Sequence, residues 1–205
     1  PVDTPLVDRE MKFSHSNTQQ TDKRGEQAFV QPTTGGRKME TGYTDDMLQI
    51  ENVGLFASGP LDHVLTTGVQ FRKHQRDVNM WMPGTTYEVE KYNYGHYQPN
   101  FMPAGKVDTN SFYIQDAITL ANFTLTPSIR YDHVRNRGQE NNAPYYNHPE
   151  LGHDYSDKTY TGWSPRLSAF WKITPQTALF ADFSKTWRAP VIDEQYEVQG
   201  LGNRT

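Results

Sequence analysis

Polar and apolar residues alternate with a period of two along much of this chain, which is the side-chain period of a β-strand. From Met47 to Ala57, one face carries Met47, Gln49, Glu51, Val53 and Leu55. The other carries Leu48, Ile50, Asn52, Gly54 and Phe56. From His63 to Lys73 the alternation is cleaner, with Leu65, Thr67, Val69 and Phe71 on one side and Thr66, Gly68, Gln70 and Arg72 on the other. The connection from Ser58 to Asp62 contains Gly59 and Pro60, so the two strands are predicted to form a hairpin.

The plan recurs twice. Phe112, Ile114, Ile118 and Leu120 precede a turn at Ala121-Asn122-Phe123, and Leu125, Ile129 and Tyr131 follow it. Trp163, Leu167, Ala169, Trp171 and Ile173 precede a turn at Thr174-Pro175-Gln176, and Leu179, Ala181 and Phe183 follow. A more polar segment, roughly Glu10 to Gln20, is a weaker strand candidate, giving about six to seven strands. Between hairpins lie long connections near 23–44, 78–108 and 136–160. Unstructured loops of that length count against a compact soluble domain. Short turns alternating with long loops are the plan of an outer-membrane barrel, which keeps the long loops outside the cell. The reading is all-β: an antiparallel up-and-down meander forming part of a transmembrane β-barrel. A soluble all-β carbohydrate-binding or hydrolytic domain is the alternative from another class, and requires the apolar faces to meet across a core.

Composition sharpens this picture. The 205 residues are 35% hydrophobic, with a net charge of -4, yet 13% are aromatic. Mean hydropathy is -0.83. Disordered chains are equally polar but poor in rings, so a folded structure is expected to use these. A barrel strand spends half its residues on a polar interior and reads as hydrophilic overall. Trp81, Tyr131, Trp163, Trp171 and Trp187 near strand ends suit an aromatic girdle at the membrane boundary. No basic cluster suggests a nucleic-acid partner. The absence of Cys removes disulfides and thiolate chemistry. No Gly-x-Ser-x-Gly, His-Glu-x-x-His or phosphate loop supports catalysis.

The segment Phe180 to Pro190, ending Trp187-Arg188-Ala189-Pro190 and followed by Glu194 and Tyr196, resembles the box of TonB-dependent heme receptors. That box reads Phe-Arg-Ala-Pro and then Glu-x-Tyr; Trp187 stands here for the Phe. Ser111 to Asp116, Leu125 to Asp132, and Tyr160 to Phe170 with Ser164-Pro165-Arg166-Leu167 are similar to strands of the same barrels. Within the family, the hemoglobin and hemophore receptors are most alike. The resemblance implies a bacterial outer membrane, a barrel of roughly 22 strands, and heme as a transported ligand rather than a cofactor. It also implies a hemoprotein partner at the extracellular loops and a TonB complex reached through an N-terminal plug. No plug domain is recognisable, and residues 1–205 are expected to be a middle section of the barrel. The family's heme-ligating histidine lies beyond the box, before an Asn-Pro-x-Leu motif, and the sequence stops at Thr205 before either. A ferric-siderophore receptor is the alternative within the fold.

Seven histidines invite a ligand reading. His15, His63, His74 and His133 lie on or beside predicted strands, where a solvated or lumen-facing ring is expected. His96 sits in the ring-rich stretch Tyr87 to Phe101 with Tyr92, Tyr94 and Tyr97, and His148 and His153 sit with Tyr145, Tyr146 and Tyr155. Rings in long loops suit recognition of a flat cofactor or a protein surface. Arg188 is expected to pair with Glu194, or with Asp116 or Asp182 on the wall, because a guanidinium fork matches a carboxylate. A metal site is not expected.

Overall fold

The computed structural model describes residues 6–24, 37–81, 97–98, 104–139 and 156–196. Seven long strands form a single antiparallel sheet: β1 (Leu6–Arg24), β2 (Arg37–Ser58), β3 (Leu61–Trp81), β5 (Ala104–Leu120), β6 (Phe123–Gln139), β7 (Lys158–Thr174) and β8 (Thr177–Ser184). Each pairs with the next in this order. The two-residue β4 (Tyr97–Gln98) adds to the far end of β3, opposite Met80 and Trp81. A five-residue helix, α1 (Ile192–Tyr196), follows β8. The topology is the predicted meander.

The three tight turns fall at Gly59-Pro60, Ala121-Asn122 and Pro175-Gln176, two of them punctuated by Gly or Pro and the third by Asn. Gly59 has φ 63°, a left-handed geometry that costs glycine nothing. Ala121 also sits there, with φ 51°. All three turns lie at one end of the sheet, hereafter the turn end, while the long connections leave from the other, the loop end. Several strands run further toward the loop end than the alternation predicts. β2 begins at Arg37 and β3 continues to Trp81, so the connections narrow to 25–36, 82–103 with β4 inside it, and 140–157. The added residues are mostly polar, and their few apolar members, such as Met39, Val78 and Val107, are too scattered for hydropathy alternation to register a strand.

Register fixes which residues share a face. Phe13, Leu48 and Phe71 are aligned across β1 to β3. Val69, Phe112, Tyr131 and Trp163 are aligned from β3 to β7. This face is largely apolar from the turns up to a row holding His15, Asp46 and Lys73, interrupted by the hydrogen-bonded pairs Arg9–Asn52 and His63–Asp116. On β6 the band runs from Phe123 to Tyr131, close to the roughly 9–11 residues a tilted strand needs to cross a bilayer. Its large side chains are uncovered: Phe13 and Phe183 are each 73% exposed. Rings mark both margins. Tyr131 packs on Trp163 with centroids 4.7 Å apart near the loop end, and Phe123 faces Trp171 at the turn end. Strands as long as β2, with 22 residues, extend to roughly 70 Å of chain, so they project well past the band.

The opposite face is polar, with Gln49, Glu51, Gln70, Ser111, Tyr113, Arg130 and Asp132 along its middle. Among the described residues, the buried apolar side chains are Val134, Ile192 and Tyr196. They gather where α1 lies on this polar face. The apolar faces of the strands do not meet across a core, which removes the sandwich reading.

Candidate ligand site at the loop end of the polar face

After Ser184 the chain leaves the sheet and folds back over the polar face. The amide N–H of Lys185 donates to Pro165 O at 3.0 Å, and the N–H of Trp187 donates to Ser164 Oγ at 3.1 Å. The Trp187 indole then lies against the backbone of Gly162, in the space a side chain there would fill. Trp187 therefore belongs to the polar face and not to the outer girdle. Position along the strand suggested a girdle, but the chain turns inward just before this ring.

Arg188 and Glu194 close the segment on itself. Nη1 donates to Oε2 and Nη2 to Oε1, both at 2.7 Å, a two-bonded fork. The Val191 N–H donates to the same carboxylate at 3.1 Å. These donors hold the Glu194 carboxyl at a pKa of about 2, the Arg188 bond contributing most. The paired guanidinium is in turn raised above its ordinary value by its bond to Glu194. Of the three carboxylates considered for Arg188, Glu194 is the one it meets. Asp116 is on the apolar face, opposite Leu65, and Asp182 accepts from Arg166 and Ser168.

Buried groups anchor α1. The Tyr196 hydroxyl donates toward two backbone carbonyls, Asn136 O at 3.0 Å and Ser156 O at 2.8 Å. Asn136, wholly buried, donates through Nδ2 to Pro190 O at 2.7 Å and Gln195 Oε1 at 2.8 Å. The side chains of Ala189 and Pro190 carry no polar group, and their backbone carbonyls accept from Arg188 Nη1 at 3.3 Å and from Asn136. Their role is to carry the chain between the two anchors, and with Val191 and Ile192 they form the roof of a cavity of about 330 Å³.

The floor of that cavity is the polar face of β2, β3, β5 and β6. Tyr43, Arg72, His74 and Arg76 line one side, and Val107 and Val134 the other. Asp45 organises the basic side. It accepts from Arg72 Nε at 2.9 Å and Nη2 at 2.5 Å, and lies 3.1 Å from His74 Nδ1. Tyr43 stacks on His74 at 6.0 Å between centroids. Nearer the turn end, Arg130 bridges Asp132, Ser111 and Gln70, and Tyr113 donates to Glu51 at 2.6 Å. Such closed networks satisfy a water-facing wall and leave the basic cluster by the cavity as the distinct feature. Sequence reading did not single out Tyr43, Arg72 or Arg76. The signal was there in three basic residues at alternate positions of β3, Arg72, His74 and Arg76, but pairing across strands was needed to see it.

The histidines divide. His74 is on the polar face at the cavity. His15 pairs with Asp46 on the other face, beyond the apolar band. His133 shares that face, opposite Thr161. His63 departs from the expectation of a solvated or lumen-facing ring. It lies on the apolar face, bonded to Asp116 Oδ2 at 2.8 Å and Ser58 Oγ at 2.8 Å, with Phe56 stacked on it. Because Phe56 faces His63 across the hairpin, the apolar partner fixes the side. Tyr92, Tyr94, His96, Tyr145, Tyr146, His148, His153 and Tyr155 lie outside the described residues, as does the Tyr97 side chain. No group of three or more potential metal ligands occurs among the described residues.

Comparison with known proteins agrees with this architecture. The family model described as TonB dependent receptor-like, beta-barrel matches residues 7–204. The chain belongs to the TonB-dependent receptor family, whose members are outer-membrane receptors and not enzymes. It is 43% identical over 200 residues to the TonB-dependent heme receptor A of Haemophilus ducreyi, covering 97% of this chain and 27% of that protein. The protein of the same name in Haemophilus influenzae is 40% identical over 201 residues, with the same coverage. The chain thus spans about a quarter of the length of these curated relatives. The unliganded ferric citrate transporter FecA superposes with a TM-score of 0.68 over 86% of this chain and 24% of its own, at 14% identity. The sheet described above is thus a section of a β-barrel wall with one largely apolar and one polar face.

Proposed function

We propose that this chain is a section of the barrel of a receptor that takes up heme across the outer membrane, drawing it from a heme-carrying protein such as a hemophore or hemoglobin. One observation carries the reading. Identity of 43% to a protein named TonB-dependent heme receptor A runs along nearly the whole chain. In this reading the loop end is extracellular, because barrels of this kind keep their short turns in the periplasm. The connections 25–36, 82–103 and 140–157 then face the hemoprotein, with Tyr92, Tyr94, His96 and Tyr97 in one and His148 and His153 in another. Heme is cargo. Energy comes from a TonB complex engaged by a part of the receptor outside this section, and residues 1–205 contribute wall and loops without a plug.

The test is growth of iron-starved cells that carry the complete receptor as their sole route for heme. Growth on heme and on hemoglobin, with growth on hemoglobin lost when residues 87–101 are removed, is the expected result. Equal growth with and without that segment contradicts its role in recognition. Growth on a ferric siderophore but not on heme contradicts the ligand.

A further inference from the structure

We infer that the cavity between the box and the luminal wall binds a carboxylate carried on an apolar ring, and that Arg72 is its recognition residue. The inference rests on the heme reading above and deepens it: the ligand portion would be the propionate edge of heme.

The cavity is divided by chemistry. Val107, Val134, Pro190 and Ile192 give it an apolar side, and Arg72 and His74 with Arg76 give it a basic one. Its volume of about 330 Å³ is at the lower limit of small-molecule sites. It therefore suits the edge of a macrocycle rather than the whole. Half of the Arg72 side chain is exposed, so the basic side can be reached from the lumen. Asp45 is a single carboxylate serving two donors, Arg72 and His74. Arg72 places Nε and Nη2 on it, and Nη1 has no partner among the described residues. A guanidinium so held is oriented in advance, with N–H groups left over. A cationic ligand is repelled by that arrangement and a neutral acceptor gains only an ordinary hydrogen bond, whereas a carboxylate gains a stronger, charge-assisted bond to a fork that Asp45 has already positioned. The roof matters equally. Pro190 and Ile192 are kept over the cavity by Asn136 and by the burial of α1, so the apolar side is rigid where a ring would slide in.

Binding of heme and of heme dimethyl ester, in which both carboxylates are masked, to the complete receptor in detergent tests this. The intact receptor is expected to bind heme about tenfold or more tightly than the diester, the size of a lost charged hydrogen bond. Arg72→Gln should weaken heme by a similar factor and leave the diester unchanged, and Arg72→Lys, which keeps the charge and loses the fork, should fall between. If Arg72→Gln does not fold, Arg72→Lys alone must still narrow the heme-to-diester ratio. Equal affinity of the intact receptor for heme and diester overturns the inference while leaving heme as the cargo. Parallel weakening of both ligands by the Arg72 variants overturns it too. Binding of neither ligand overturns the heme reading and this assignment together.

Discussion

The indole of Trp187 occupies the place where Gly162 would carry its side chain. The contact ties the segment that follows β8 to the loop-end part of β7, and makes the glycine a requirement of space. Gly162→Ala is expected to push Trp187 off the wall and to destabilise the receptor by about 1–3 kcal/mol, the usual cost of overpacking. A blue-shifted Trp emission that turns red in the variant would report it. Gly54→Ala is the control: its added carbon meets nothing closer than 3.9 Å, and it should be neutral within about 0.5 kcal/mol.

Protonation opens the same segment from its other end. The Glu194 pKa is about 2 in the folded chain, below its ordinary value of 4.5. A depressed carboxyl contributes fully above the unfolded value, and the contribution declines as pH falls from about 4.5 through about 2. Both partners are well exposed, so the effect is expected to be local rather than global. The Val191 amide, which donates to Glu194, should be protected from hydrogen exchange above pH 4.5 and lose that protection toward pH 2. Glu194→Gln should remove most of it at every pH.

Asn136 holds the roof of the cavity from below. Asn136→Ala removes the donor to Pro190 O and Gln195 Oε1 at a fully buried position. Each acceptor left without a partner costs about 1–3 kcal/mol. The expected outcome is a loss of about 2 kcal/mol or more in denaturant unfolding from micelles, with faster proteolysis around 185–196 and an otherwise intact barrel.

On the apolar face of the sheet, His63 and Asp116 are polar groups among apolar neighbours, and Asp116 Oδ1 is buried with no hydrogen-bond partner among the described residues. His63→Ala would leave Oδ2 without its donor as well, and is expected to cost about 3 kcal/mol. Replacing both, His63→Phe with Asp116→Leu, removes the need for pairing and should be neutral or stabilising. Unfolding midpoints of the single and double variants in the same detergent decide it; a double variant less stable than the single one contradicts the apolar placement of this pair.

Sequence alone disclosed the meander, its turns and the two faces, because half-buried strands such as His63 to Lys73 alternate without interruption and Gly59 and Pro60 punctuate the turn between them. It understated the strands at the loop end, where Arg37 to Asp46 and Arg72 to Trp81 are mostly polar and hold too few apolar residues to show a period of two. The box residues Arg188 and Glu194 were visible as a spaced pair. What they build was not, since Trp187 on Gly162 and Tyr196 on Asn136 join residues far apart in the chain. The basic side of the cavity was hidden for the same reason: Tyr43, Arg72 and His74 become one cluster only through the register of β2 with β3.

The most direct measurement is a titration of the complete receptor in detergent with heme, followed by the Soret band, beside a parallel titration with a ferric siderophore. A saturable Soret shift with heme and no binding of the siderophore is the outcome expected of a heme receptor built on this wall. Siderophore binding with no heme shift would contradict it and make the chain part of a ferric-siderophore receptor on the same fold.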